Sequence, residues 1–321
     1  MDKNHSIKKK DIEINGLNCQ CCGKNHPGSC IPFKKNEENH ISNISLAAEN
    51  GSLYSLANYL DNGFWADTNS PDRFFNLTSD GSNAKSGEIT FNVTGSTYDY
   101  NGISSARREL VREAFNLYEN VLNINFKEDT GYNADIDFID NYSGAWAGSY
   151  GIENNHTSWS LININSSWSW WEGNDYQSYT WGTILHEIGH ALGLGHQGNY
   201  NNTGNYSTEA KFRNDCNSYS MMSYFNTSAN PNIDGSNLYY ATPMCVDYIA
   251  LNNIYSSQGD FGTDYAFSGD TVYGFNTNID SSQSDLWHNF SSLISTERFT
   301  IVDGSGWDKI DFNGFSKAIN L

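Results

Sequence analysis

Apolar and polar residues alternate through Ile89, Phe91 and Val93, the period-two spacing of a half-buried strand. From Ser105 the period changes. Leu110, Val111, Ala114, Phe115, Tyr118 and Leu122 share one face of a 3.6-residue repeat and predict a helix to about Leu122. Strands are expected at Ile124–Phe126, Ile136–Ile139 and Trp159–Ile164, with Gly- and Asn-rich turns between them. A second helix is expected from Tyr179 to Gly193. A third runs from about Pro243 to Tyr255, with Val246, Ile249, Ala250 and Ile254 on one face. Upstream, Leu46, Leu53, Leu56, Ala57 and Leu60 predict a short helix across Leu46–Asp61. Beyond Gly259 the helical period stops, and Thr271–Phe275, Phe299–Val302 and Lys309–Phe312 read as short β segments between Gly and Asp turns. The pattern is that of an α+β chain in three parts: an extended leader over residues 1–45, a main fold over 46–255 and a small all-β region over 256–321.

Composition narrows what this chain does. Hydrophobic residues make up 38% and aromatic residues 14%, ample for a packed core in 321 residues. No run of 18 apolar residues occurs, so no membrane-spanning helix is expected, and Met1 to Lys10 is basic without the apolar segment of an ordinary secretory signal. The formal charge of −19 is uneven. Residues 1–40 hold seven Lys/Arg and five Asp/Glu, against eleven and 32 in the remainder. A body that acidic repels phosphate, which argues against nucleic acid as a partner and suits a soluble, secreted protein. Of six cysteines, Cys19, Cys21, Cys22 and Cys30 crowd the leader, while Cys216 and Cys245 stand alone. The even count suits an oxidising compartment. Cys216 and Cys245 bracket residues 220–224, and a disulfide between them is expected over two buried free thiols.

The chemistry concentrates in His186-Glu187-Ile188-Gly189-His190-Ala191-Leu192-Gly193-Leu194-Gly195-His196. Two histidines four apart on a helix project from one face and can reach a single ion. Glu187, beside the metal and not bound to it, is placed to take a proton from an attacking water and deliver it to the leaving amine. Gly193 permits the sharp turn that ends the helix and brings His196 round as a third ligand. Three ligands leave a fourth position open, as a catalytic zinc requires.

His186–His196 resembles the HExxHxxGxxH signature of the metzincin zinc endopeptidases. Ser220-Met221-Met222-Ser223-Tyr224 is similar to their methionine turn, in the Ser-x-Met-Ser-Tyr form of the serralysin family, and Met222 stands 26 residues after His196. The resemblance covers roughly residues 70–321. It implies a metzincin catalytic domain, with a mixed twisted sheet, two long helices and a C-terminal helix, followed by the start of a β-roll. It also implies a secreted, monomeric metalloendopeptidase, with Met222 packed beneath the metal. Tyr224 becomes a switchable zinc ligand that swings to stabilise the tetrahedral intermediate. Peptide substrates of such enzymes lie extended and add a strand to a sheet edge, here Ala145–Ile152 or Trp159–Ile164. Two features depart from the family: no Gly-Gly-x-Gly-x-Asp nonapeptide occurs, and a cysteine cluster stands in the leader.

By the same resemblance, Asp303, Ser305 and Asp308 of the Asp303–Asp308 turn join carbonyls or hydroxyls of Phe267, Gly269 and Thr271 in a calcium site. A plain Asp-Gly turn is the alternative. In the leader, a thiolate of Cys19 or Cys21 could fill the open zinc position and hold the enzyme latent. A local disulfide knot, or a zinc knuckle using Cys30 and His26, would use the same residues. Two other functions stay open on the sequence: a metal-binding module whose catalysis has lapsed, and a calcium-dependent surface-binding protein.

Overall fold

The computed structural model describes residues 49–78, 87–131, 133–167 and 175–315, with the backbone of two short strands upstream. These strands, β1 (Asn18–Cys19) and β2 (Lys24–Asn25), pair antiparallel. Cys21, Cys22 and Cys30 of the expected leader lie outside the described residues.

The helix expected across Leu46–Asp61 starts later and runs further. Leu46 is outside the described residues. Ser52, extended at ψ 161°, caps α1 (Leu53–Asn58) by accepting the Ser55 N–H at 3.1 Å. A π-helical turn over Tyr59–Gly63 leads into α2 (Phe64–Asp67). Leu56, Ala57 and Leu60 are buried as their spacing requires, but Leu53 is 41% exposed because it occupies the first turn.

After β3 (Glu88–Asn92) comes α3 (Ser105–Leu122), which keeps its predicted bounds. Ser104 caps its start, and Asn123 at φ 56° ends it in the left-handed region. Four strands follow: β4 (Asn125–Glu128), β5 (Ile136–Ile139), β6 (Ala145–Tyr150) and β7 (Trp159–Ile164). The chain continues through α4 (Tyr179–Ala191), α5 (Tyr206–Glu209), β8 (Tyr239–Tyr240) and α6 (Cys245–Tyr255). β3 to β7 form one sheet in the order β4-β3-β5-β7-β6, parallel except for β6, which runs antiparallel to β7 at the edge. Every residue of β5 and β7 is buried, as strands covered on both faces must be. Of the two candidate edge segments, therefore, only Ala145–Ile152 lies at an edge. On the helical side Phe115 of α3 stacks on Phe91 at 4.2 Å and meets Phe126 and Phe138.

The region after residue 256 is not all-β. It holds β9 (Val272–Gly274), two one-turn helices α7 (Asp285–His288) and α8 (Phe290–Leu293), β10 (Glu297–Arg298) and β11 (Lys309–Asp311). No strand covers Phe299–Val302. Phe299 instead packs edge-on against Phe290 at 4.6 Å, and the ladder forms two residues earlier, where β10 pairs with β8. β9 and β11 pair in parallel. This region shares the main hydrophobic core, to which it contributes Phe267, Tyr273, Leu286 and Trp287. Glu113 of α3 fastens it. Its buried carboxylate accepts from Ser284 Oγ at 2.5 Å and from the N–H groups of Leu286 and Asp285 at 3.0 and 3.2 Å, at the start of α7.

Burial, outweighing these hydrogen bonds, lifts the Glu113 carboxyl above its ordinary 4.5. The folded chain thus holds this proton more tightly than the unfolded chain. Its contribution to stability is full below the ordinary pKa and is lost as pH rises through the folded one. Glu113→Gln is therefore expected to gain stability relative to the parent chain as pH rises from the ordinary carboxyl value of 4.5 through the raised one. Urea midpoints measured across that window check this, and a pH-independent difference would contradict it.

Candidate metal centre

α4 starts at Ser178, whose Oγ accepts the Trp181 N–H at 3.1 Å, and every residue from Thr180 to Ala191 is buried. His186 and His190, one turn apart, have ring centroids 4.7 Å apart. The helix cannot continue past Gly193, which sits at φ +118° and whose absent Cβ would lie 2.4 Å from the Arg73 carbonyl oxygen. The chain doubles back, and His196 arrives 4.6 Å from His190 and 5.4 Å from His186, centroid to centroid.

The N-terminal helices brace this turn. The Leu60 carbonyl accepts the Gly195 N–H at 2.7 Å, Trp65 Nε1 donates to the Gly193 carbonyl at 2.9 Å, and Phe64 meets the His196 ring edge-on at 5.2 Å. Gly195 has no choice of residue, since a Cβ there would stand 2.3 Å from the Phe64 ring.

Each imidazole is oriented through Nδ1. His186 donates to the Met221 carbonyl at 2.9 Å, His190 to the Leu194 carbonyl at 2.7 Å and His196 to the Tyr200 carbonyl at 2.9 Å. A carbonyl only accepts, so in each ring Nδ1 carries the proton and Nε2 presents a lone pair. Burial pushes His186 down to about 4 and the other two well below the ordinary value, so all three are neutral. Nε2 of His190 and of His196 are 3.0 Å apart with no proton between them. Two facing lone pairs repel unless a cation lies between them. Tetrahedral zinc at about 2.0–2.1 Å from each nitrogen sets such nitrogens roughly 3.3 Å apart, so the donor set and its spacing fit that ion.

Glu187 is 2% exposed. It accepts the Ala147 N–H of edge strand β6, while Oε2 has no hydrogen-bond partner, and burial raises its carboxyl to about 8. The methionine turn runs below. Room for it exists because residue 189 is glycine: a Cβ would meet Met221 Cε at 2.7 Å and Met222 Sδ at 3.1 Å. Met222 is fully buried, and its carbonyl accepts the Gln197 N–H, next to His196. The Tyr224 ring lies 4.6 Å from His196 and 6.2 Å from His186.

Two buried acids at this site escaped sequence reasoning. Asp247 accepts from Ser220 Oγ at 2.6 Å and from the Met221 and Met244 N–H groups at 2.8 Å, which ties the methionine turn to α6. Asp215 accepts from Ser223 Oγ at 2.5 Å and from Tyr200 OH. Burial raises both to about 7. Only Asp247 left a trace in the sequence, as an acid in the third helical position of α6, where a capping partner stands. The expected Cys216–Cys245 disulfide is absent and both thiols are free. Their sulfurs turn to different neighbours, Cys216 to Ser218 Oγ at 3.5 Å and Cys245 to the Tyr219 carbonyl at 3.9 Å.

Further along, the structure brings the six candidate calcium residues together. Gly269 N–H donates to the Ser305 carbonyl at 2.9 Å, Thr271 N–H donates to Asp308 Oδ1 at 2.9 Å, and Thr271 Oγ1 lies 3.2 Å from the Phe267 carbonyl. Asp303 accepts from Tyr273 OH, and its carboxyl is raised chiefly by burial and also by facing Asp308.

A methionine buried beneath three converging histidines is the arrangement expected from the metzincin resemblance. The family description Peptidase_M10, Matrixin, matches residues 82–213. The chain is similar to metalloprotease AprA of Pseudomonas entomophila, 38% identical over 172 residues that cover 51% of this chain and 33% of that protein. It is similar as well to metallopeptidase AprA of Pseudomonas marginalis, 32% identical over 251 residues (71% and 50% of the two chains). Serralysin of Photorhabdus laumondii is 30% identical over 242 residues, 70% of this chain and 47% of that one. The chain thus spans about half the length, or less, of the curated relatives it matches. A crystal structure of myroilysin aligns with a TM-score of 0.33 at 18% identity, over 53% of this chain and 83% of that chain. Over the matched residues the chain is similar to the serralysin-type metalloproteases.

Gly193→Ala forces an L-residue into a left-handed conformation that costs about 1–3 kcal/mol, before any clash with Arg73. The variant should melt lower and purify with less zinc, read by calorimetry and metal analysis. Unchanged melting and full zinc content would refute the role given to this turn.

Proposed function

We propose that this chain is the catalytic part of a secreted, monomeric zinc endopeptidase. The observation that carries the reading is Glu187 Oε2, a buried carboxylate oxygen without a partner beside three converging imidazoles. An unsatisfied buried carboxylate costs stability, and a chain without catalysis has no use for one there. That favours the enzyme over a lapsed metal-binding module.

His186, His190 and His196 hold the ion. Zinc, when bound, supplies a Lewis acid that acidifies water and polarises the scissile carbonyl. The chain's own residues do the rest. Among the described residues β6 has a ladder partner on one side only, β7, and its other side receives the peptide as an added strand. Glu187, anchored to β6 through the Ala147 N–H, is thereby in register with that peptide. Oε2 takes a proton from the attacking water and passes it to the leaving amine. The Tyr224 hydroxyl swings toward the developing oxyanion and donates a hydrogen bond. Cations such as calcium fit the oxygen-rich turn at Asp303, Ser305 and Asp308 with Phe267, Gly269 and Thr271. Among the described residues no helix is long and apolar enough to cross a membrane.

Latency belongs to the same proposal. Residues 1–45 act as a pro-segment, with Cys19 or Cys21 denying the fourth ligand position to water. In support, the backbone of β1, which contains Cys19, lies against the edge strand β6.

Two outcomes test this reading. Glu187→Ala should retain zinc yet lower peptide turnover by at least ~10²-fold; hydrolysis at the parent rate would sink the mechanism. Replacing Cys19, Cys21 and Cys22 by Ser should give an uncleaved chain that is active, while in the parent a thiol reagent reacts with one more cysteine after zinc is chelated. An inert triple variant, or no additional reactive thiol, rules the cysteine out.

A further inference from the structure

Tyr200 stands at a junction that the catalytic scheme leaves unused. Its carbonyl accepts the His196 Nδ1–H at 2.9 Å, and its ring stacks on His196 at 5.8 Å. The same ring lies 4.8 Å from that of Tyr224, and its hydroxyl oxygen accepts the Tyr224 N–H at 3.4 Å. The hydroxyl proton goes to Asp215, whose two oxygens are 3.2 and 3.1 Å away. Asp215 is fully buried, and its remaining strong contact is Ser223 Oγ at 2.5 Å, on the residue before Tyr224. The Asp215 carbonyl accepts from Asn230 Nδ2 at 2.8 Å, which holds the acid itself in place. No Lys or Arg forms an ion pair with Asp215 among the described residues. A carboxyl group buried beside two hydroxyls and no cation is an expensive way to support a loop that an apolar residue could fill.

We propose that Asp215 is a positioning residue that, through Tyr200 and Ser223, sets His196 and the backbone of Tyr224 together, so that metal retention and the placement of Tyr224 depend on one carboxyl group. The geometry explains why both hydroxyls converge on it. Tyr200 fixes the third ligand through its carbonyl and ring, and Tyr224 through its hydroxyl. Ser223 fixes Tyr224 from the other side. If the acid is lost, Tyr200 can rotate and both ends of the linkage loosen at once. Outer partners of metal ligands act in this way, by orienting the ligand. The part concerning Tyr224 rests on its proposed role as a switchable ligand; the part concerning His196 does not.

The test uses the full chain and two readouts other than hydrolysis. In the zinc form, release of the ion to a competing chelator is followed in time. In the copper(II) form, a phenolate-to-copper absorption band reports whether Tyr224 reaches the metal, with Tyr224→Phe as the control that removes the band. Asp215→Asn and Tyr200→Phe are each expected to release zinc about 10- to 100-fold faster and to weaken or shift the band. Tyr200→Phe keeps the ring and the carbonyl, so it tests the linkage even if Asp215→Asn does not fold. Zinc release within twofold of the parent in a folded variant overturns the proposal, as does a lower melting temperature with both readouts unchanged. A parent chain without the band refutes the ligand role of Tyr224, and the release rates then decide the hold on His196 alone.

Discussion

Three neutral imidazoles must keep their Nε2 lone pairs within a few ångströms of one another at a buried site. Without a cation that arrangement is repulsive, as the 3.0 Å separation of the His190 and His196 nitrogens makes plain. Rigid backbone holds them there. Three carbonyls, of Met221, Leu194 and Tyr200, fix the three Nδ1–H groups, and each comes from a different stretch of the turn or its floor. Most of the surrounding architecture answers to this demand: the left-handed glycine, the glycine beneath which the methionines fit, and the N-terminal helices wedged behind His196.

The second organising feature is how the chain handles buried carboxyls. Glu113 is satisfied by the start of a helix, and it joins the C-terminal region to α3. Asp247 is satisfied by the methionine turn and the start of α6. Glu187, the acid that follows the first histidine of the triad, keeps a buried oxygen without a partner, as does Glu297 of β10. The difference separates the acids that fasten the scaffold, Glu113 and Asp247, from Glu187, whose second oxygen is left available. Glu187 is anchored to β6, the edge strand of the sheet among the described residues.

Much of this was legible in the chain itself. The period-3.6 stripe of Ser105–Leu122 and the runs Ile136–Ile139 and Trp159–Ile164 became elements with the predicted bounds, because each buries its apolar residues through local geometry alone. The triad was legible because helical spacing and one glycine turn place all three histidines within eleven residues. Where the reading failed, a distant partner had decided. The first helix took its start from Ser52 and ran on through a π turn. Phe299 joined an aromatic cluster instead of a ladder, α7 formed where Glu113 could cap it, and two cysteines turned away from each other.

The sequence by itself therefore determined the metal chemistry: three imidazoles, an acid beside the first, and a methionine and tyrosine downstream, all set by spacing along the chain. Only the tertiary structure decided what holds that chemistry in place. Asp247 stands 27 and 26 residues from the Ser220 and Met221 it holds, Asp215 stands 15 and eight from Tyr200 and Ser223, and Tyr200 stands four from His196, yet none follows a period that marks it. Trp65 reaches Gly193 across 128 positions. A hydrogen bond needs only proximity and direction, and both of these are fixed when the chain packs, whereas helical spacing is fixed before it does.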